Sequence, residues 1–479
     1  MNISEDKKSK LKELFPEVFS EDKIDFDKLK LTLGEDISDS EERFGLQWAG
    51  KKDCFKVIQE PSVGTLKPCK KESVNWDTTE NLFIEGDNLE VLKQLQKAYY
   101  GKVKTIYIDP PYNTGGEFIY PDRFQENLDT YLAYTGQVND EGKKFSTNTE
   151  TSGRFHSNWL NMMYPRLFFA KNLLKDEGVI FISIDDNEYD NLKKVGDEIF
   201  GEENFIANII WQKKFSRSND ATYFSTMHDH ILCYAKTSKL INPLKGWDLN
   251  LIERGSDVPS GYSNPDNDIR GNWASVVLSA KSGSESLKYM ITTPSGRECY
   301  PPDGRFWGVN KNKFEELVLD NRIWFGKNGD GTPRLKTFLS EVQSGLRPNS
   351  IWFHNEVGHN QEGRQELKAL FDDKAYFDGP KPVRLLKHIL KITTEDKDFI
   401  ALDFFSGSCS TAHAVLDLNK EDGGNRKFIM VQLPEPCDDK SEAFKAGYKT
   451  IADIGKERIR RVIKKIETEV QEEEVKNHS

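Results

Sequence analysis

Val103-Lys104-Thr105-Ile106-Tyr107-Ile108-Asp109-Pro110-Pro111-Tyr112 is a mostly apolar run that stops abruptly at an acid, two prolines and an aromatic. Its alternation is weak and it is rich in β-branched residues, which suits a strand covered on both faces, as in a parallel sheet. Proline cannot continue the hydrogen-bond ladder, so the chain leaves the sheet at Asp109. A loop leaving a parallel strand there lies at the carboxyl edge, where open α/β sheets bind ligands. Working outward, the same strand-helix rhythm recurs. Asn81-Leu82-Phe83-Ile84-Glu85 reads as a strand, and Leu89, Val91, Leu92 and Leu95 as a helix. Trp159 to Leu174 is an amphipathic helix feeding the apolar strand Gly178 to Ile184. A helix over about Glu188 to Phe200 and strands near Phe205 to Trp211 and His230 to Tyr234 follow. The fold class is α/β, a doubly wound Rossmann-like sheet.

Residues 240–370 lose that rhythm and gain Gly, Pro, Ser, Asn, Trp and Arg, which marks an inserted domain. The α/β pattern resumes with a helix over Val383 to Ile392, a strand Phe399-Ile400-Ala401-Leu402, a helix from about Thr411 to Leu418, a strand from Lys427 to Leu433 and a charged helix from Glu457 to Val470. The expected domains are an N-terminal helical or irregular appendage (1–80), the first half of the sheet domain (81–239), the insert (240–370) and the second half with the C-terminal helix (371–479). In the appendage, Leu11, Leu14, Phe15, Val18 and Phe19 recur at helical spacing.

With 479 residues the chain is too long for one ordinary core, so more than one domain is expected. Hydrophobic residues at 37% and charged residues at 30% place it among folded rather than disordered chains. No apolar run is long enough to span a bilayer, and residues 1–8 are polar, without the apolar core of a signal peptide. A cytoplasmic protein with no membrane role is the expectation. Six scattered cysteines without a Cys-x-x-Cys pair fit free thiols in a reducing compartment. The pair His228 and His230 would face one side of a strand, but no third ligand lies nearby in sequence, so no metal is expected. The net charge of −11 argues against a wholesale nucleic-acid coat, though not against a local basic cleft.

Two strand-to-loop turns carry the chemistry. In the first, Asp109 offers carboxylate acceptors, the prolines stiffen the loop and leave carbonyls as acceptors, and Tyr112 adds a flat face. Together they suit a planar ring bearing an amino group. Accepting both amine protons frees the nitrogen lone pair to attack an electrophilic methyl, and the aromatic face can stack on a base flipped out of a duplex. Taken alone, the same residues also make an ordinary strand-ending turn. The second turn is Leu402-Asp403-Phe404-Phe405-Ser406-Gly407-Ser408-Cys409-Ser410-Thr411. Gly407 allows close backbone approach, and the helix that follows presents unpaired N–H groups, which suits a nucleotide-like cofactor with a carboxylate end; taken alone, the stretch equally makes a plain strand-helix corner.

As a pair, the turns resemble the D-P-P-Y catalytic loop and F-x-G-x-G cofactor loop of amino-group DNA methyltransferases. The catalytic loop comes first and the cofactor loop last, the circularly permuted order of the beta group, with the target-recognition domain inserted between. The chain is similar in particular to the modification (Mod) subunits of type III restriction-modification systems. Supporting segments are Phe44-Gly45-Leu46-Gln47-Trp48-Ala49-Gly50-Lys51-Lys52, Ser73 to Asn88, Phe325-Gly326-Lys327-Asn328-Gly329-Asp330-Gly331 and Phe377-Asp378-Gly379-Pro380-Lys381-Pro382. The resemblance implies methyl transfer from S-adenosyl-L-methionine to adenine N6 in double-stranded DNA, with base flipping. It also implies a homodimer that joins a helicase-nuclease restriction subunit.

By the same resemblance, Asp109, Pro110, Pro111 and Tyr112 hold and activate the base, while Asp403, Phe405, Gly407 and Ser408 line the methionine end of the cofactor. Lys381 matches a further cofactor motif, or is a solvated lysine at a helix start. Asp87 reaches the adenosyl moiety or caps the next helix. Cys409 stands where the family usually has its second glycine. Where the family usually has an acid for the ribose hydroxyls, Gln432 and Glu435 are both candidates. Trp273, Arg305, Trp307, Lys311, Lys313, Arg322, Trp324, Lys327, Arg334 and Lys336 in the insert suit sequence reading, or a solvated face over an aromatic core. Lys213, Lys214 and Arg217 offer a backbone contact. Cytosine C5 chemistry needs a Pro-Cys nucleophile, and neither Pro68-Cys69 nor Pro436-Cys437 follows the strand that ends in Asp109. N4-cytosine methylation, and a DNA-binding specificity or assembly subunit with weakened catalysis, stand as alternatives.

Overall fold

The computed structural model describes residues 11–12, 14–20, 23–33, 46–114, 155–217, 221–253, 258–342 and 345–477. Residues 1–8, and Phe44 and Gly45 of the first resembling segment, lie outside them. The chain divides into two units, residues 1–250 with 349–479, and residues 251–348.

The first unit is built on β1 (Leu82–Glu85), α1 (Asn88–Tyr99), β2 (Val103–Ile108), α2 (Phe155–Leu173), β3 (Leu174–Ile184), α3 (Tyr189–Phe200), β4 (Phe205–Gln212), β5 (His228–Ala235), β6 (Ile351–Trp352), α4 (Val383–Thr393), β7 (Ile400–Asp403), α5 (Ser410–Asp422), β8 (Lys427–Gln432) and α6 (Ile451–Asn477). The eight strands form one sheet in the order β6-β4-β5-β3-β2-β7-β8-β1. All six residues of β2 are buried, as the apolar run requires of a central strand. β2 lies parallel to both β3 and β7, with Ile106 opposite Leu402. From β7 the chain winds to one side through α5 to β8, and from β2 to the other side through α2 to β3. The β2/β7 boundary is therefore the switch point of the sheet, the place beyond whose carboxyl ends open α/β sheets bind ligands.

Only β5 among these strands runs antiparallel to its neighbours, pairing Ile184 with His230 and Ile210 with His230. Alternation alone had suggested a uniformly parallel sheet. The segment between β4 and β5 has no described crossover helix, so the chain turns back beside β4 instead of crossing over.

Two further differences concern the flanks. The N-terminal helical run breaks at Pro16, which opens a 3₁₀ turn (Pro16–Val18) followed by the short strand Phe19–Ser20. The expected appendage is also partly core: Cys54 and Phe55 are buried with Leu160 and Tyr164, and the Trp48 indole donates to Asn161 Oδ1 at 2.6 Å. No helix among the described residues is long and apolar enough to cross a membrane.

The second unit, 251–348, is narrower than 240–370, because Ile351–Trp352 joins the main sheet beside β4. It carries an antiparallel sheet of Ile323–Trp324, Arg334–Phe338 and Trp273–Val277, and a core of Leu278, Ile291, Trp307, Phe314 and Ile323. Several residues expected to read DNA serve that core. Trp307 is buried and donates to the Tyr289 carbonyl at 2.8 Å, Trp273 packs on Trp324 at 5.2 Å between ring centroids, and buried Lys336 is paired with Asp266 and Asp268. Arg305 and Arg334 hold Ser279 and Ser275, and Arg322 is paired with Asp320 and Glu341. Lys311, Lys313 and Lys327 stay exposed.

Candidate active site

Asp109 stands just beyond β2, and both its oxygens are engaged. The Tyr112 hydroxyl donates to Oδ1 at 2.9 Å, and Lys381 Nζ donates to Oδ2 at 2.5 Å. Lys381 comes from the Pro380-Lys381-Pro382 segment that starts α4, and its ammonium lies 5.3 Å from the Tyr112 ring centroid and 5.9 Å from that of Trp211. Lys381 is nearly buried, so it is not the solvated lysine of a helix start. Burial and the Asp109 charge hold the Tyr112 phenol well above its ordinary range, so it stays a hydrogen-bond donor. The Pro111 carbonyl is taken by the Trp159 indole at 2.7 Å. One acceptor site of the Pro111 carbonyl is thereby used.

The residue after the motif was not foreseen as functional. Asn113 is buried with φ of 60°, a left-handed conformation that asparagine tolerates better than most residues. Its amide donates to Glu188 Oε1 at 2.5 Å, and the fully buried Glu188 also meets His156 Nδ1 at 2.6 Å and Asn191 at 2.7 Å. This network anchors the exit of the Asp109–Tyr112 loop to the segment between β3 and α3. Asp229 was missed as well: it is buried on β5, paired with Lys213 Nζ at 2.5 Å, with its pKa raised by burial against the pull of Lys381 and Lys213. Lys213, expected at a phosphate, is thus committed to an internal pair. Alternation along His228-Asp229-His230 was the available signal, since it sends Asp229 to the opposite face from its neighbours.

The second turn leaves β7, the strand beside β2. Asp403 is buried, accepts from Thr411 Oγ1 at 2.6 Å and from the Phe405 amide at 3.1 Å, and its pKa is pushed up to about 7 by burial despite those donors. Gly407 has φ of 50°, and a Cβ there would lie 3.1 Å from Phe377 Cζ. The turn is therefore shaped for a residue without a side chain. Cys409 also lies in the left-handed region, at φ of 62°. That conformation favours glycine, and a non-glycine residue costs about 1 kcal/mol there. The thiol is fully buried, and space for it comes from Gly455 in α6, where a Cβ would stand 2.8 Å from Sγ.

Three expected cofactor residues are held by the protein itself. Gln432 Oε1 accepts from the Gly407 amide at 2.7 Å, so it braces the turn. The Ser408 hydroxyl accepts from Arg458 Nη1 at 3.1 Å and keeps its own proton to donate. Arg458 is fully buried, and its pKa is lowered to about 10 by burial. Asp87 caps α1 through the Glu90 amide at 3.1 Å and pairs with buried Arg166 at 3.4 Å, so of its two readings the cap is the one seen. Arg166 also donates to Asn88 at 2.5 Å, and Asn88 to the Phe404 carbonyl at 2.8 Å, which ties α2, α1 and the second turn together. Glu435 is half-buried, its pKa raised by burial. Phe405 is buried in the turn.

The family model for DNA methylases (N6/N4 methyltransferases) matches residues 103–464. The type III restriction-modification enzyme StyLTI Mod subunit of Salmonella typhimurium is 40% identical over 91% of this chain and 64% of its own length. The EcoP15I Mod subunit of Escherichia coli is 31% identical over 95% of this chain and 75% of its own, and the EcoPI Mod subunit of Escherichia phage P1 is 33% identical over 96% and 74%. This chain thus spans about two thirds to three quarters of the length of these relatives. Among solved structures, the PvuII cytosine-N4-specific DNA methyltransferase is 12% identical, covering 80% of this chain and 94% of that one, at a TM-score of 0.37. A family model covering most of the chain, and Mod subunits above 30% identity across about three quarters of their own length, carry one conclusion: the chain belongs to the DNA methylase family, among the type III Mod subunits.

Proposed function

We propose that this chain methylates adenine N6 in double-stranded DNA, as the modification subunit of a type III system. The observation that carries this is the placement of the Asp109–Tyr112 loop and the Gly407 turn on adjacent parallel strands at one edge of the sheet. The turn fits S-adenosyl-L-methionine: it combines a cradle that a Cβ would fill, the buried carboxylate of Asp403 and the half-buried carboxylate of Glu435. Asp403 would hold the cationic methionine end. With Gln432 committed to Gly407, Glu435 would take the ribose hydroxyls. When bound, the cofactor supplies an electrophilic methyl. The chain's own residues do the rest. Tyr112 stacks on the flipped base, Asp109 and the Pro110 carbonyl accept the two N6 protons, and the lone pair is directed at the methyl carbon. After transfer, one N6 proton leaves through Asp109. In the resting state Lys381 holds Asp109 in place, and yields Oδ2 when the base enters. The second unit reads the target, and the protein acts in the cytoplasm as a homodimer joined to a helicase-nuclease subunit.

Incubation of the purified protein with DNA and S-adenosyl-L-methionine, followed by nucleoside mass spectrometry, tests the activity. N6-methyladenine is expected; N4-methylcytosine alone, or no methylated nucleoside, contradicts it.

Two predictions follow from particular side chains. Asp403 has a pKa of about 7 in the folded protein, above its ordinary value, so its charge is present only as pH rises through 7. The ionised share grows from about a tenth at pH 6 to about nine tenths at pH 8. Cofactor affinity, read by isothermal titration, should therefore strengthen about ninefold over that range and become flat in Asp403→Asn. By the same sign, ionising Asp403 costs stability above pH 7, so Asp403→Asn should melt higher than wild type at pH 8 without cofactor. A wild-type affinity that is unchanged or weaker at pH 8 contradicts the assignment. The second concerns Glu188. Glu188→Ala unties Asn113 from α3 and should lower kcat about tenfold with an unchanged circular dichroism spectrum, because the loop loses its aim. A kcat within twofold of wild type would show that the network is not needed.

A further inference from the structure

The carboxyl edge of the sheet holds a second constellation, on the other face of β5 from Asp229. His228 and His230 stand two apart on β5, and Asp186 follows β3, whose last residue Ile184 is paired with His230. One nitrogen from each imidazole and one oxygen of Asp186 all lie within 4.8 Å of one another. His230 Nε2 is 3.0 Å from Asp186 Oδ1. The sequence alone hid this third group, because Asp186 lies 44 positions before His230.

Both ring nitrogens of His230 have polar partners: Nδ1 lies 3.1 Å from the Asn208 side-chain oxygen and Nε2 3.0 Å from Asp186 Oδ1. The His228 ring stands beside this pair, its centroid 5.2 Å from that of His230. A divalent ion uses all three. The ring of His230 is also clamped by Tyr189 at 4.3 Å between centroids. A ligating imidazole whose other nitrogen is hydrogen-bonded, with its ring held by packing, is the usual outer support of a metal ligand.

We propose that Asp186, His228 and His230 bind a divalent transition-metal ion of the zinc class. Two imidazoles and one carboxylate, with a fourth position left to water, match the ligand preference of that ion. Zinc-ligand bonds of about 2.0–2.1 Å put ligand atoms ~3.4 Å apart in a tetrahedral site. The His230–Asp186 pair is already at that spacing, and His228 reaches it by a side-chain adjustment of about 1 Å. The consequence is mechanical. The ion staples the start of β5 to residues 185–188, and Glu188 at the end of that segment holds Asn113 beside Tyr112. This site is separate from methyl transfer in its test, since binding is read without activity.

The test is titration of the chelator-stripped full chain with Zn²⁺ alone against a chromophoric competitor, repeated with Co²⁺ and visible absorption. Wild type should take up one ion per chain. His228→Ala and Asp186→Asn should weaken binding at least tenfold. Asn208→Ala, which touches no ion, should weaken it about tenfold as well, because it frees the His230 ring. Asp186 is an exposed side chain, so Asp186→Asn folds as wild type even if His228→Ala does not. Exposed Cys69 is the alternative surface ligand, and Cys69→Ser should leave binding unchanged. No uptake by wild type, equal uptake by Asp186→Asn, or loss of uptake in Cys69→Ser overturns the site.

Discussion

Asp109→Ala is expected to abolish methylation, lowering kcat at least about a thousandfold, a loss of ~4 kcal/mol from the transition state. The reason is local. Asp109 is the one carboxylate in the Asp109–Tyr112 loop, and its oxygens already meet two donors, Tyr112 and Lys381. An amine bringing its own protons replaces those donors. Without the carboxylate, N6 keeps its lone pair in the ring and Lys381 is left as a buried charge without its partner. Tyr112→Ala should match that loss, because the flipped base loses its stacking face and Asp109 loses a donor. Both variants should keep the wild-type circular dichroism spectrum and still bind S-adenosyl-L-methionine, since the Gly407 turn is braced by Gln432, Arg458 and Asn88 rather than by this loop. Radiolabel transfer to DNA, together with cofactor titration, measures both. Retained turnover in either variant, or loss of cofactor binding in both, contradicts the assigned roles.

Exchanging residues 251–348 for the equivalent unit of a relative should replace the DNA sequence that is methylated and leave the modified base as adenine. The unit has its own core around Trp307 and Phe314 and its own sheet, so it can be moved as a folded piece. Its lysines Lys311, Lys313 and Lys327 are exposed, and lysine contacts to phosphate supply position rather than sequence. Changing these lysines alone should weaken binding to all sequences and flatten its salt dependence, without changing the site. Single-molecule sequencing of DNA treated with the exchanged chain reads base and site together. An unchanged target would remove sequence reading from this unit.

Much of this was legible in the sequence, and for definite reasons. The run from Val103 to Tyr112 could only be a buried strand ending in a stiff loop, and the Leu402–Thr411 stretch could only be a strand, a tight turn and a helix. Their adjacency was not a local property. It depends on the sheet order, which pairs strands far apart in the chain. The antiparallel β5 escaped for the same reason, because a strand's own residues do not record its direction. Side-chain commitments were the least legible. Gln432, Ser408 and Asp87 have the right chemistry for a cofactor, yet each is held by a neighbour that sequence spacing does not bring close. Trp273, Trp307 and Lys336 likewise looked like recognition residues and proved to be core, because a small mixed domain needs large aromatics and paired charges to fill its interior. Glu188, Asp229 and Arg166 show the converse: their importance lies in what they hold, and no motif announces it.

The spatial claim beneath all of this is open to one direct observation, a crystal structure of the full chain with S-adenosylhomocysteine. The sulfur should stand over the β2/β7 boundary, facing the space between the Asp109 carboxylate and the Tyr112 ring, with the amino-acid end at Asp403 and the ribose at Glu435. Cofactor bound at the opposite edge of the sheet, or with its sulfur turned away from Asp109, would contradict the account.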